Sequence, residues 1–61
     1  MLRITATSKD GRLFPLALAT DSIAKIEPEA RPDMPSKAVV KLKDGQVYFV
    51  AETFDQLMGQ L

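Results

Sequence analysis

The sequence predicts an α+β domain: a small antiparallel β-sheet of four to five strands, laid out as β-hairpin, short strand, long Pro-rich loop and second β-hairpin, with one C-terminal helix. Two Lys-Asp-Gly turns, at positions 9–11 and 43–45, each separate two β-rich runs, and Asp and Gly tolerate the positive φ that tight hairpin turns need. Thr53-Phe54-Asp55-Gln56 has the form of a capping box, so a helix should start near Phe54. Phe54, Leu57, Met58 and Leu61 then follow the i, i+3, i+4, i+7 spacing of one apolar stripe.

Leu2 to Ser8 alternates Leu2, Ile4 and Ala6 with Arg3, Thr5 and Thr7, the period of a half-buried strand. A three-residue loop with Gly11 in the left-handed position pairs Ala6 with Phe14, Ile4 with Leu16 and Leu2 with Leu18, placing six apolar residues on one face. A two-residue loop matches poorly. Pro15 lacks an N–H, so its strand belongs at a sheet edge or carries a bulge. Thr20-Asp21-Ser22 reads as a turn and Ile23 to Glu27 as a short third strand, forced out of the helical region by Pro28. From Glu27 to Ser36 the chain holds three of its four prolines and no apolar period, the composition of an exposed loop. Arg31 and Met34 are its candidate contact residues, because loops carry binding residues disproportionately.

For the second hairpin the expected register has a two-residue loop, Asp44-Gly45. It sets Leu42 opposite Val47, Val40 opposite Phe49 and Ala38 opposite Ala51, with Val39, Lys41, Lys43, Gln46, Tyr48 and Val50 outward. A bulged loop like the first would instead put Ala38, Val40, Leu42, Tyr48 and Val50 on one face. Lys9 to Ala17 and Lys43 to Ala51 share a pattern, which is attributed to common turn chemistry, since repeat architectures need three or more copies.

Sixty-one residues make a single domain, 1–61, and a chain of this size buries only about 60% of the surface exposed when unfolded. It contains no Cys and no His, which removes disulfides, thiolate metal sites and the usual proton-transfer and zinc ligands. No metal or other cofactor is expected. Eight basic and eight acidic side chains cancel, so no overall field draws the protein to nucleic acid or to an anionic membrane. The N-terminus lacks an apolar signal region and no stretch is long enough to span a membrane, making cytoplasmic residence the expectation. Ser8, Ser22 and Ser36 have no His to activate them. The isolated glycines form no phosphate loop, and Glu27, Glu29, Asp21, Glu52 and Asp55 sit in turns or at a helix start, where negative charge has a structural role. An enzyme subunit lending one carboxylate to a shared site is the weakest reading.

Two surfaces remain. Lys37, Lys41 and Lys43 share a parity, and in the two-residue register Tyr48 lies across from Lys41, a Lys/Tyr patch able to contact phosphate and stack a base. Alternatively the sheet edges, outer face or Pro-rich loop meet a protein partner or a second copy of the chain. A non-catalytic protein-binding module, as adaptor, regulator or inhibitor, is the principal expectation and a nucleic-acid-binding accessory the alternative; no small-molecule substrate is evident.

Leu42 to Leu57, LKDGQVYFVAETFDQL, preceded by Asp21 to Glu27, DSIAKIE, resembles the strand, turn, Y-h-V-x-E-S/T and helix order of the small FlbD-like flagellar proteins. It is also similar to the central part of LytTR-type DNA-binding domains, in which an I-x-x-I-E strand precedes the same hairpin and helix. A LytTR domain has further strands with basic DNA-contacting residues that have no counterpart here, so the resemblance implies the hairpin-plus-helix unit and not DNA binding.

Overall fold

In a computed structural model, which describes residues 1–29 and 36–61, the chain forms β1 (Leu2–Thr7), β2 (Leu13–Leu18), a 3-10 turn (Thr20–Ser22), β3 (Ile23–Pro28), β4 (Ala38–Leu42), β5 (Val47–Val50) and α1 (Phe54–Met58). The strands make one five-stranded antiparallel sheet in the order β2-β1-β5-β4-β3. The expected α+β class, the third strand and the C-terminal helix are all present. Arg31 and Met34 lie outside the described residues.

The first hairpin has the expected register: Leu2 opposite Leu18, Ile4 opposite Leu16, Ala6 opposite Phe14. Its loop is Lys9-Asp10-Gly11, closed by Ser8 N–H donating to the Arg12 carbonyl at 2.8 Å, with Gly11 at φ +84°. The second hairpin corrects the two-residue expectation. Ala38 faces Val50, Val39 faces Phe49, Val40 faces Tyr48 and Lys41 faces Val47; Leu42 N–H donates to the Gln46 carbonyl at 2.8 Å, and Gly45 sits at φ +95°. Both turns are thus three-residue loops with a glycine bulge, matched bond for bond. The physical reason is that a left-handed glycine in the third loop position restores the strand twist, whichever face the flanking residues occupy. One residue of slip exchanges faces: Tyr48 and Val50 point inward, Val47 and Phe49 outward.

The inner face supplies the core, with Leu2, Ile4, Ala6, Leu18, Ala38, Val40, Val50 and Leu57 buried and Leu16, Ile23, Ile26, Leu42 and Tyr48 packed around them. Thr53 caps α1 as expected: its hydroxyl accepts from Gln56 N–H at 3.1 Å, and the Gln56 side chain accepts from Thr53 N–H at 2.9 Å. The apolar stripe is only partly used. The helix ends at Met58, and of the stripe only Leu57 is fully buried, while Met58 and Leu61 are exposed.

The sheet cannot be flat. By these strand registers Ile23 lies level with the first turn, whereas Leu18 lies level with Leu2; on a flat sheet they would stand about 30 Å apart. The link between them is Ala19 and the 3-10 turn, which reaches roughly 14 Å at most. The sheet therefore coils enough to bring the end of β2 toward the start of β3, and α1 closes the end where β5 stops, touching β1 and β3.

Candidate functional site

Coiling encloses one face of the sheet, while the other is exposed at Leu13 and Val47 and buried at Val39. Along one cross-strand row of the outer face lie Leu13, Thr7, Phe49, Val39 and Glu27, the Thr7 to Phe49 step continuing the Ala6 to Val50 pairing. Val47, Lys41 and Lys25 form the neighbouring row. Leu13 is 61% exposed and Val47 46% exposed, while Phe49 is half-buried and Val39 buried. Because β1 and β5 run antiparallel, both Lys-Asp-Gly turns lie at the Leu13 and Val47 end of the sheet. Within the row the Thr7 hydroxyl is buried without a hydrogen-bond partner, an unsatisfied group of the kind interiors normally avoid.

The lysine patch does not assemble as expected. Tyr48 points to the inner face, opposite Val40, and its hydroxyl donates to Gln46 Oε1 at 2.7 Å; the residue across from Lys41 is Val47. This follows directly from the one-residue change of register. Lys41 is also engaged: its Nζ lies 3.4 Å from Glu27 Oε1, and Lys25 Nζ lies 2.8 Å from the same oxygen. The Lys25 hydrogen bond, with the charges of Lys25 and Lys41, holds the Glu27 carboxyl below the usual range, against the effect of desolvation. Lys25 in turn is raised by its hydrogen bond to Glu27. Lys37 is exposed, and Lys43 belongs to the turn, its N–H donating to the Ser22 carbonyl at 2.9 Å.

The carboxylates are likewise separated. Glu27 lies on β3 and Glu29 N–H donates to the Lys37 carbonyl at 3.0 Å. Glu52 reaches β1, accepting from Thr5 N–H and from the Thr5 hydroxyl, each at 2.7 Å. Among the described residues no group of three metal-ligating side chains could hold an ion. None of the described helices is long and apolar enough to cross a membrane.

Two shallow cavities accompany the sheet. One, about 400 Å³, lies at the seam left by coiling, between the end of β2, the 3-10 turn and the β4–β5 turn, with Asp21, Ser22, Lys43 and Asp44 around Leu18 and Leu42. The other, about 250 Å³, is a dimple beside Arg3, Pro15 and Ala17.

Sequence reasoning missed two side chains that organise this architecture. Beyond Val50, β5 leaves β1 and side chains continue the pairing: Glu52 takes Thr5 N–H, while Gln60 accepts from Arg3 N–H at 2.7 Å and donates to the Arg3 carbonyl at 2.8 Å. No local pattern announces either contact, since each spans about fifty residues of sequence. Comparison of the chain with protein-family models, curated proteins and solved structures finds no match.

Proposed function

We propose that this protein is a small non-catalytic binding module that meets a protein partner through the outer face of its sheet, around Leu13, Val47 and Phe49. The observation that carries the proposal is the exposure of Leu13 and Val47 on one face with Phe49, since clustered apolar side chains left in water mark interaction surfaces. The edges offer less. Pro15 and Pro28 fall at positions of β2 and β3 whose backbone faces away from the neighbouring strand, where each removes a donor that an added strand would use. The nucleic-acid alternative gains no support from the geometry, because Tyr48 and Lys41 occupy opposite faces and Lys41 is paired with Glu27.

The test compares wild type with a Leu13→Glu, Val47→Glu variant in quantitative affinity purification and in light scattering. Both residues are exposed, so each change should cost within about 0.5 kcal/mol of stability. A partner, or a second copy, held by wild type and lost by the variant is the expected result. Retention of every partner by a folded variant, or a monomer with no partner in either form, overturns the proposal.

A further inference from the structure

The inner strand β1 is paired along its whole length by β2 but only in part by β5. Alternation along the first hairpin turns the backbone groups of Leu2, Ile4 and Ala6 toward β2 and those of Arg3, Thr5 and Thr7 the other way. On that second side Ala51 N–H reaches the Thr5 carbonyl at 2.9 Å, and the chain then bends off the sheet. The remaining groups, Thr5 N–H and both backbone groups of Arg3, are held by side chains alone.

A glutamine side-chain amide carries the donor and acceptor of a peptide group, and Gln60 places both on the N–H and C=O of Arg3. It stands where an antiparallel strand residue would pair. We infer that the β5-side edge of β1 from Arg3 to Thr5 is a strand-docking slot, which the chain's own segment from Glu52 to Gln60 occupies as a strap. The occupant the slot fits is an extended peptide running antiparallel to β1.

Three observations make the strap the part of the molecule that opens first. Its helix has five residues, too short to be stable by itself. Leu57 is its one buried side chain. The Arg3 to Gln60 pair and both capping-box bonds lie in exposed positions, the features of a segment with low local stability. The slot differs from the outer edges of β2 and β3, where proline removes a donor permanently; here the donors are covered by contacts that can be exchanged. The inference does not rest on the outer-face proposal, since Leu13 and Val47 lie at the opposite end of the sheet.

Native-state hydrogen exchange on the full chain tests the opening. The amides of Arg3, Thr5, Leu57 and Gly59 should share one opening and exchange at least about tenfold faster than those of Val40 and Val50, which need global unfolding. Gln60→Ala should speed exchange at Arg3 by about fivefold, and at Val40 by no more than the same factor, because the lost contacts belong to the native state from which both openings start. Docking is tested by titrating the acetylated, amidated peptide Thr-Val-Thr-Val-Thr into a Glu52→Gln, Gln60→Ala variant and following amide resonances. Shifts confined to Arg3, Thr5 and residues 52–61 support the slot. Exchange of Arg3, Thr5 and Leu57 no faster than Val40, or resonances of Arg3 and Thr5 unmoved at saturating peptide in the folded variant, overturns it.

Discussion

Glu52 is the side chain whose removal should tell most about how this small sheet holds together. Its carboxylate accepts two hydrogen bonds from Thr5, at 2.7 Å each, in a part-buried position. Burial alone would push the carboxyl up, yet donation from Thr5 N–H, the Thr5 hydroxyl and its own N–H leaves it below the usual Glu value. A hydrogen bond to a charged group is worth about 1.5–3 kcal/mol. After Glu52→Ala water can reach part of the vacated site, so the net loss should be about 2 kcal/mol. A domain of this length has roughly 3–9 kcal/mol in total, and about 2 kcal/mol corresponds to a fall in Tm on the order of 10 °C. Urea and thermal unfolding followed by circular dichroism measure both. The pH dependence has a definite sign. A carboxyl whose folded pKa is depressed contributes stability that is fully present above its unfolded value, about 4.3, and is lost as pH falls through the folded value. Wild type should therefore exceed Glu52→Gln in stability at pH 7, and the gap should close as pH falls through the depressed folded value of Glu52. Coincident unfolding curves at pH 7, or a gap that persists undiminished in acid, would refute the reasoning.

Other perturbations probe the rest of the fold. Gly11→Ala and Gly45→Ala should each cost about 1 kcal/mol by urea unfolding, and by similar amounts, because both glycines have positive φ and open space around a Cβ; Gly59→Ala, at φ −66°, should be neutral or stabilising by up to about 0.5 kcal/mol. Leu57→Ala should cost about 2–5 kcal/mol, whereas Met58→Ala, exposed one position along, should stay within about 0.5 kcal/mol. Pro15→Ala restores an outward N–H on β2, and sedimentation should show more self-association than wild type with a stability change below about 1 kcal/mol.

The first hairpin was legible because two independent signals agreed: only the three-residue loop put Phe14, Leu16 and Leu18 with Ala6, Ile4 and Leu2, and Pro15 asked for the edge that β2 occupies. In the second hairpin the pattern could not choose, since Val47 and Phe49 are as apolar as Tyr48 and Val50. The shared Lys-Asp-Gly turn held the answer, and turn chemistry should have outweighed a marginal gain in apolar pairing. The cap at Thr53 was readable as a local device. How little of the helix stripe is buried was not, because that depends on the strand end against which α1 stops. The same register error carried the site with it: Tyr48 beside Lys41 existed only in the wrong register, and the ion pair that occupies Lys41 needed Glu27 from a strand whose pairing partner the sequence did not specify.

The coiled sheet explains why a chain this short has so uneven a surface. Coiling brings β2 toward β3, and in a barrel that closed fully each would satisfy the other's backbone. Here the linking segment is short enough to force the coil, yet the seam between the end of β2 and the β4–β5 turn is still an open cavity of about 400 Å³. The two outer edges are left to Pro15 and Pro28, and the unfinished side of β1 to Glu52 and Gln60. Each device removes or covers a backbone donor. None of them covers Leu13 or Val47. A fold that blunts its edges in three places still leaves Leu13 and Val47 exposed on its outer face, and contact with a partner on that face would take that apolar surface out of water.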